Sequence, residues 1–206
     1  HERALAGKTS IRHALAMVEE FRQRDTTTPV LLMGYANPVE HMGYESFADA
    51  AAAAGLDALL TVDIPPEEVE RVNRALKRVD MDNILLVAPT TPEERIERIV
   101  AQASGFIYYV ALKGVTGAGH LDTEDVAAHL ARIRRASSLP LAVGFGIKDA
   151  ASAAAVAAVA DGVVVGSALV ARLATAIADG ADYEGAIAAA AGLLAELRTG
   201  VDAAAS

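Results

Sequence analysis

Short, continuously apolar runs alternate with longer amphipathic stretches along the whole chain. The apolar runs cover 29–33, 58–62, 83–87, 105–110, 141–143 and 162–165. Each is too short for a helix and lies between turn residues, which predicts six buried strands. The stretches between them carry helical spacing. Residues 1–7 read as a helix tail closed by Gly7, and Thr9 as the cap of a helix with Ile11, Leu15, Val18 and Phe21 on one face. Helices follow over 43–54, stopped by Gly55, and from Pro66, where Glu67, Glu68 and Glu70 suit the positive end of the dipole. Thr91-Pro-Glu-Glu reads as a capping box for a helix to Ala103, and Asp122 as the cap for 123–136. The pattern continues with helices over 149–159, 168–178 and 183–198.

Strand and helix thus alternate six times. That order predicts an α/β chain with a parallel sheet and helices outside it. The alanine runs at 50–54, 150–160 and 186–191 read as close-packed helices, because Val, Leu and Ile recur among them at helical spacing.

Composition narrows the function. With 206 residues, 53% of them hydrophobic, the chain is read as one domain, residues 1–206, with a large core. A net charge of −9 argues against nucleic acid or an anionic membrane surface as partner. There is no cysteine, and hence no disulfide or thiolate metal site. No apolar stretch approaches the ~18 residues of a membrane span. The N-terminus lacks the order of a signal peptide, so the expected location is cytoplasmic.

Parallel sheets bind ligands at the C-terminal ends of their strands. Here these ends are Gly34-Tyr-Ala-Asn-Pro38, Asp63-Ile-Pro-Pro66, Ala88-Pro-Thr90, Leu112-Lys113 with a glycine-rich loop to Gly119, Gly144-Phe-Gly146 and Gly166-Ser167. Glycine lets backbone approach a ligand, and a helix N-terminus offers unpaired N–H groups with partial positive charge. Two such ends one βα unit apart, with a short helix starting near Ala168, predict a phosphate site held by backbone dipoles. Tyr35, Asn37, Asp63, Tyr108 and Phe145 would ring the same mouth, while Phe145, Leu32, Leu60 and Val87 suggest a flat apolar substrate portion. An aspartate at a strand end serves as general base or as a cap; for Asp63 the structural or subunit-contact role is favoured. The histidines at 1, 13, 41, 120 and 129 show no ligand spacing, so no metal is expected. Ser10, Ser46 and Ser104 lack a nucleophile elbow.

Leu-Leu-Met-Gly-Tyr-Ala-Asn-Pro (31–38), Asp-Ile-Pro-Pro-Glu-Glu (63–68), Ala-Pro-Thr-Thr-Pro (88–92), Tyr-Tyr-Val-Ala-Leu-Lys-Gly-Val-Thr-Gly-Ala (108–118), Gly-Phe-Gly-Ile (144–147) and Val-Gly-Ser-Ala-Leu-Val (165–170) occur in order along the chain. Together they resemble the tryptophan synthase α subunit. The resemblance implies a (β/α)₈ TIM barrel with six of its eight βα units in this chain. It implies a lyase that cleaves indole-3-glycerol phosphate to indole and glyceraldehyde 3-phosphate. The implied partner is a β subunit carrying pyridoxal phosphate, in an α2β2 heterotetramer, with no cofactor in the α chain itself.

Position by position, the resemblance implies phosphate binding at Gly117, Phe145, Gly146, Gly166 and Ser167. It implies an indole pocket of Tyr35, Leu32, Leu60, Val87 and Phe145, and support from Tyr108, Thr116 and Asp63. Thr116 falls on the loop that closes over the site, and Asn37 and Pro65 on the face toward the β subunit. The family's general-base glutamate and essential aspartate would precede His1. Little or no lyase activity is therefore expected of these residues by themselves, and self-association through exposed barrel edges is expected. The competing expectations are another phosphate-binding barrel, such as a sugar-phosphate isomerase or epimerase, and a non-catalytic phosphate-binding and docking module.

Overall fold

The computed structural model describes Gly7 and residues 9–65, 67–111, 123–144 and 146–204. In chain order the elements are α1 (Ile11–Arg22), β1 (Leu31–Gly34), α2 (Ala36–Met42), α3 (Tyr44–Ala54), β2 (Ala58–Thr61), α4 (Val69–Lys77), β3 (Asp82–Val87) and α5 (Glu93–Val100). They continue with β4 (Ile107–Val110), α6 (Thr123–Ala136), β5 (Leu141–Gly144), α7 (Ala150–Ala157), β6 (Gly162–Val164), α8 (Ser167–Ala178) and α9 (Tyr183–Ala204). All six predicted strands form. The residues divide into one unit up to Leu86 with Glu97–Phe106, and a second of Val87–Ile96 with Ile107–Ser206.

In the first unit β1, β2 and β3 are parallel neighbours, with Met33 opposite Leu60 and Leu60 opposite Ile84. Leu59, Phe47, Ala48, Ala51, Val72 and Leu76 form one buried cluster against which Val30 and Leu32 pack. Phe47 is fully buried there; burying such a ring contributes on the order of 1.5–3 kcal/mol. The expected cap of α1 moves by one residue: Ser10, not Thr9, accepts the His13 N–H and forms a capping box with the His13 ring. The helix expected over 43–54 is α3, and a further helix, α2, precedes it. Gly43, at φ +86°, joins the two in a conformation that favours glycine.

In the second unit β4, β5 and β6 are parallel neighbours, with Tyr108 opposite Ala142, and Gly144 opposite Val110 and Val164. Helix α6 has the bounds expected from sequence, and α9 runs past the expected 198 to Ala204. Gly200 of α9 lies against the backbone of Ala150 in α7, where a Cβ would overlap the Ala150 carbonyl.

A clamp recurs where the chain enters a strand. Asp57 accepts the Val30 N–H at 2.6 Å and returns its own N–H to the Val30 carbonyl at 2.9 Å. Arg22 then holds the same carboxylate oxygen. In the second unit Asp161 accepts the Leu141 N–H at 2.8 Å, returns its N–H to the Leu141 carbonyl at 3.0 Å, and takes Arg134 at 3.0 Å. Ser104 makes the uncharged version with Asn83, at 2.9 and 3.0 Å. Each clamp satisfies an amide at or beside the start of a strand and ties it to the start of the next.

Candidate functional site

Side-chain alternation assigns a face to each strand residue. Tyr109 is buried against α6, its ring stacked on His129 at 5.8 Å between centroids. Tyr108 therefore projects from the opposite face of β4, with Ala142, Gly144 and Gly162 as small neighbours on the strands beside it. Its ring reaches along the sheet over Gly144: a Cβ there would meet the Tyr108 hydroxyl and lie 2.6 Å from Cζ. Burial raises the Tyr108 pKa above the usual 10.

Gly144 pairs with Val164, and Gly146 and Gly166 each follow two residues beyond that pair in sequence. Gly146 is exposed at φ +78°, and a Cβ at either glycine would meet open space. The two strand ends then differ. Helix α7 caps itself: Asp149 accepts the Ser152 N–H at 2.8 Å and Ser152 Oγ accepts the Lys148 and Asp149 amides. Helix α8 begins at Gly166 with no side-chain cap and no acidic residue in its first turn. Its leading N–H groups and the positive dipole end are free for an anion. The sequence reading treated both ends alike; the structure makes α8 the open one. Gly117, Thr116 and Phe145 lie outside the described residues, as do Lys113, Pro66 and Asp122.

In the first unit Asp63 accepts the Ala36 N–H at 2.7 Å and so caps α2, whose own N-cap, Tyr35, makes no side-chain cap bond. Tyr35 is half-exposed, Asn37 is exposed on α2, and Leu60 and Val87 are buried. Leu32 is a correction to the expected indole pocket. It packs on the helix-facing cluster with Leu59, whereas Leu60 projects from the other face of the sheet. The β1 residue sharing that face is Met33, 53% exposed and the register partner of Leu60. Sequence missed it because a run of consecutive apolar residues hides its own alternation. A groove of about 280 Å³ beside β1 is lined by Ile11, Leu32, Met33, Tyr35 and Val39.

Buried polar atoms were also missed. Thr61 Oγ1, Asn83 Oδ1 and Tyr109 Oη find no hydrogen-bond partner among the described residues. No described residues gather three or more His, Asp or Glu side chains in a metal-binding arrangement. No described helix is long and apolar enough to cross a membrane.

Parallel βα units with glycine-ended strands place the chain in the α/β-barrel class. Comparison with known proteins agrees. Residues 1–198 match the family model for the tryptophan synthase alpha chain. The tryptophan synthase alpha chain of Thiobacillus denitrificans is 56% identical over 204 residues, 98% of this chain and 72% of that one. That of Nitrosococcus oceani is 58% identical over 172 residues, 84% of this chain and 64% of that one. The crystal structure of tryptophan synthase subunit alpha from Legionella pneumophila superposes with a TM-score of 0.87 at 42% identity, over 98% of this chain and 73% of that one. Tryptophan synthase from M. tuberculosis, in its aminoacrylate-bound form, matches with a TM-score of 0.81 at 34% identity, over 97% of this chain and 72% of that one. The chain belongs to the tryptophan synthase alpha chain family, lyases of tryptophan biosynthesis. It spans about two thirds to three quarters of the length of these relatives.

Proposed function

We propose that this chain binds indole-3-glycerol phosphate through its phosphate, for retro-aldol cleavage to indole and glyceraldehyde 3-phosphate. The observation that carries the reading is the start of α8 at Gly166-Ser167, which has no side-chain cap and no acidic residue in its first turn. A phosphate dianion there accepts backbone amides at the positive end of a helix dipole. Gly117 and Phe145 join this site by the resemblance alone. Tyr35, Leu60 and Val87 are carried over as indole contacts, with Met33 in place of Leu32.

Cleavage needs a proton delivered to the indole ring and another removed from the glycerol hydroxyl. Asp63 is engaged with the Ala36 amide, and burial moves the Tyr108 phenol further from ionisation. The acid–base carboxylates implied by the resemblance lie upstream of His1. What these residues supply in this reading is the phosphate end of the site, with the proton transfers left to the carboxylates that the resemblance implies. Asn37 and Pro65 contribute to docking a β subunit, which supplies pyridoxal phosphate for its own reaction; the α chain needs none. The compartment is the cytoplasm. Binding and docking without chemistry is the second reading, favoured by the engagement of Asp63.

The test is indole release from indole-3-glycerol phosphate, with and without a β subunit, alongside calorimetric binding of glycerol phosphate. Binding without turnover supports the reading. Clear turnover by the 206-residue chain would assign the acid–base work to residues inside it, Asp63 first. Absence of any glycerol phosphate binding would remove the phosphate site itself.

A further inference from the structure

The helix starts that follow β5 and β6 differ in charge as well as in capping. Before α7, Lys148 gives its backbone N–H to Ser152 Oγ at 3.1 Å, and Asp149 accepts the Ser152 N–H at 2.8 Å and its hydroxyl at 2.7 Å. Ile147, buried at 3% exposure, anchors the chain just ahead of this turn. Lys148 thus leaves a backbone held on both sides. Its side chain is exposed and has no ion pair among the described residues. It is also the only Lys or Arg among the described residues that join a strand to the helix after it. The corresponding stretch after β2 carries Asp63, Glu67 and Glu68 instead. Gly144 pairs with Val164, so Lys148 and the uncapped start of α8 leave neighbouring strands, which lie about 4.8 Å apart in a sheet.

A phosphate dianion needs more than the amides of α8. A helix dipole presents about half a unit charge at its N-terminus, which leaves most of the dianion unmatched. The chain also carries a net charge of −9, so an anion is repelled over most of its surface. A single cation beside the seat raises the local concentration of the ligand and its rate of arrival. Lysine suits this task, being a compact charge on a flexible four-carbon stem. We propose that Lys148 is the counter-charge for the substrate's phosphate. The β6–α8 end seats the dianion on backbone amides, and the β5–α7 end draws it in and balances its charge. This inference rests on the phosphate reading above and adds to it a residue that binds through charge, without a part in the proton transfers.

Calorimetric titration of glycerol phosphate into the 206-residue chain tests it, with Lys148→Gln and Lys148→Arg beside the parent. Both variants keep the backbone N–H that Ser152 accepts, so their melting temperatures without ligand should match the parent's. Lys148→Gln should bind roughly fivefold more weakly at about 10 mM salt, and the gap should close near 1 M, where charges are screened beyond about 3 Å. Lys148→Arg should stay within about twofold of the parent. Equal affinity of Lys148→Gln and the parent at low salt would overturn the proposal and leave the phosphate site standing. A loss that salt does not diminish, or that Lys148→Arg shares in full, would also overturn it, because the residue would then act through structure and not through charge. No binding by the parent at either salt concentration would remove the phosphate reading itself, and this inference with it.

Discussion

The Tyr108 hydroxyl occupies the space that a side chain at position 144 would fill. The two residues sit on neighbouring strands and the same face, so the tyrosine sets which residue the β5 end can hold. Gly144→Ala should cost about 1–3 kcal/mol, as overpacking of a buried contact does. Combined with Tyr108→Ala it should cost less than the sum of the two single changes, by about 1 kcal/mol or more. Tyr108→Phe should relieve less, because Cζ stays within 2.6 Å of the added methyl. Urea unfolding of the parent, the three single variants and the two double variants measures this coupling. Strict additivity would mean that the ring moves aside freely.

The Asp161 clamp makes part of the stability pH-dependent. Desolvation pushes its carboxyl up, but the Leu141 amide and Arg134 together outweigh that, and the net shift is downward. A carboxylate with a depressed folded-state pKa stabilises the fold above its unfolded value, about 3.9. That contribution is lost as pH falls through the lower folded value. Asp161→Ala should cost about 1–3 kcal/mol near neutral pH, leaving the part-buried Leu141 N–H without its acceptor. It should also flatten the acid limb of a stability–pH curve below about pH 4. An unchanged acid limb in denaturant titrations would place that sensitivity elsewhere.

How much of this was legible in the sequence depends on the range of the interaction that decides it. The six strands and α6 follow from local pattern and were readable to within a few residues. Helix α2 was not, because its N-terminus is capped by Asp63 from beyond the next strand rather than by a neighbour. The burial of β1 was overstated: a continuous apolar run does not reveal which of its residues, here Leu31 and Met33, are exposed. Leu32 was assigned to the wrong face for a related reason, since only the register with Leu59 and Leu60 gives the run its parity. The glycine ends were legible as turns. That α7 caps itself through Asp149 and Ser152 while α8 does not could have been read from Asp149, three residues before Ser152, had the two helix starts been compared.

Tyr109 offers a test at the other end of the pH scale. Burial raises its phenol to about 12, with Asp125 adding to the rise and Arg132 opposing it. A raised folded-state pKa means full stabilisation below the unfolded value, about 10, and loss as pH climbs toward about 12. Its hydroxyl has no partner among the described residues, so Tyr109→Phe removes a desolvated group at little or no cost in packing. We expect the variant to match or exceed the parent at neutral pH, and to lose less stability in alkali. Destabilisation by more than about 1 kcal/mol would reveal a hydrogen bond to that hydroxyl.

Gly146 and Gly166 separate backbone strain from anion binding. At Gly146 the backbone lies at φ +78°, where an alanine costs about 1–2 kcal/mol although no atom blocks its methyl. At Gly166 φ is −123°, outside the left-handed region, and the space for a Cβ is again open. Gly166→Ala should therefore change stability little, yet stand a methyl over the uncapped amides of α8. Inorganic phosphate should raise the melting temperature of the parent chain and raise that of Gly166→Ala much less, with affinity down by about tenfold. Gly146→Ala should lower the melting temperature even without phosphate. Equal phosphate stabilisation of Gly166→Ala and the parent would mean that the anion does not sit on the start of α8.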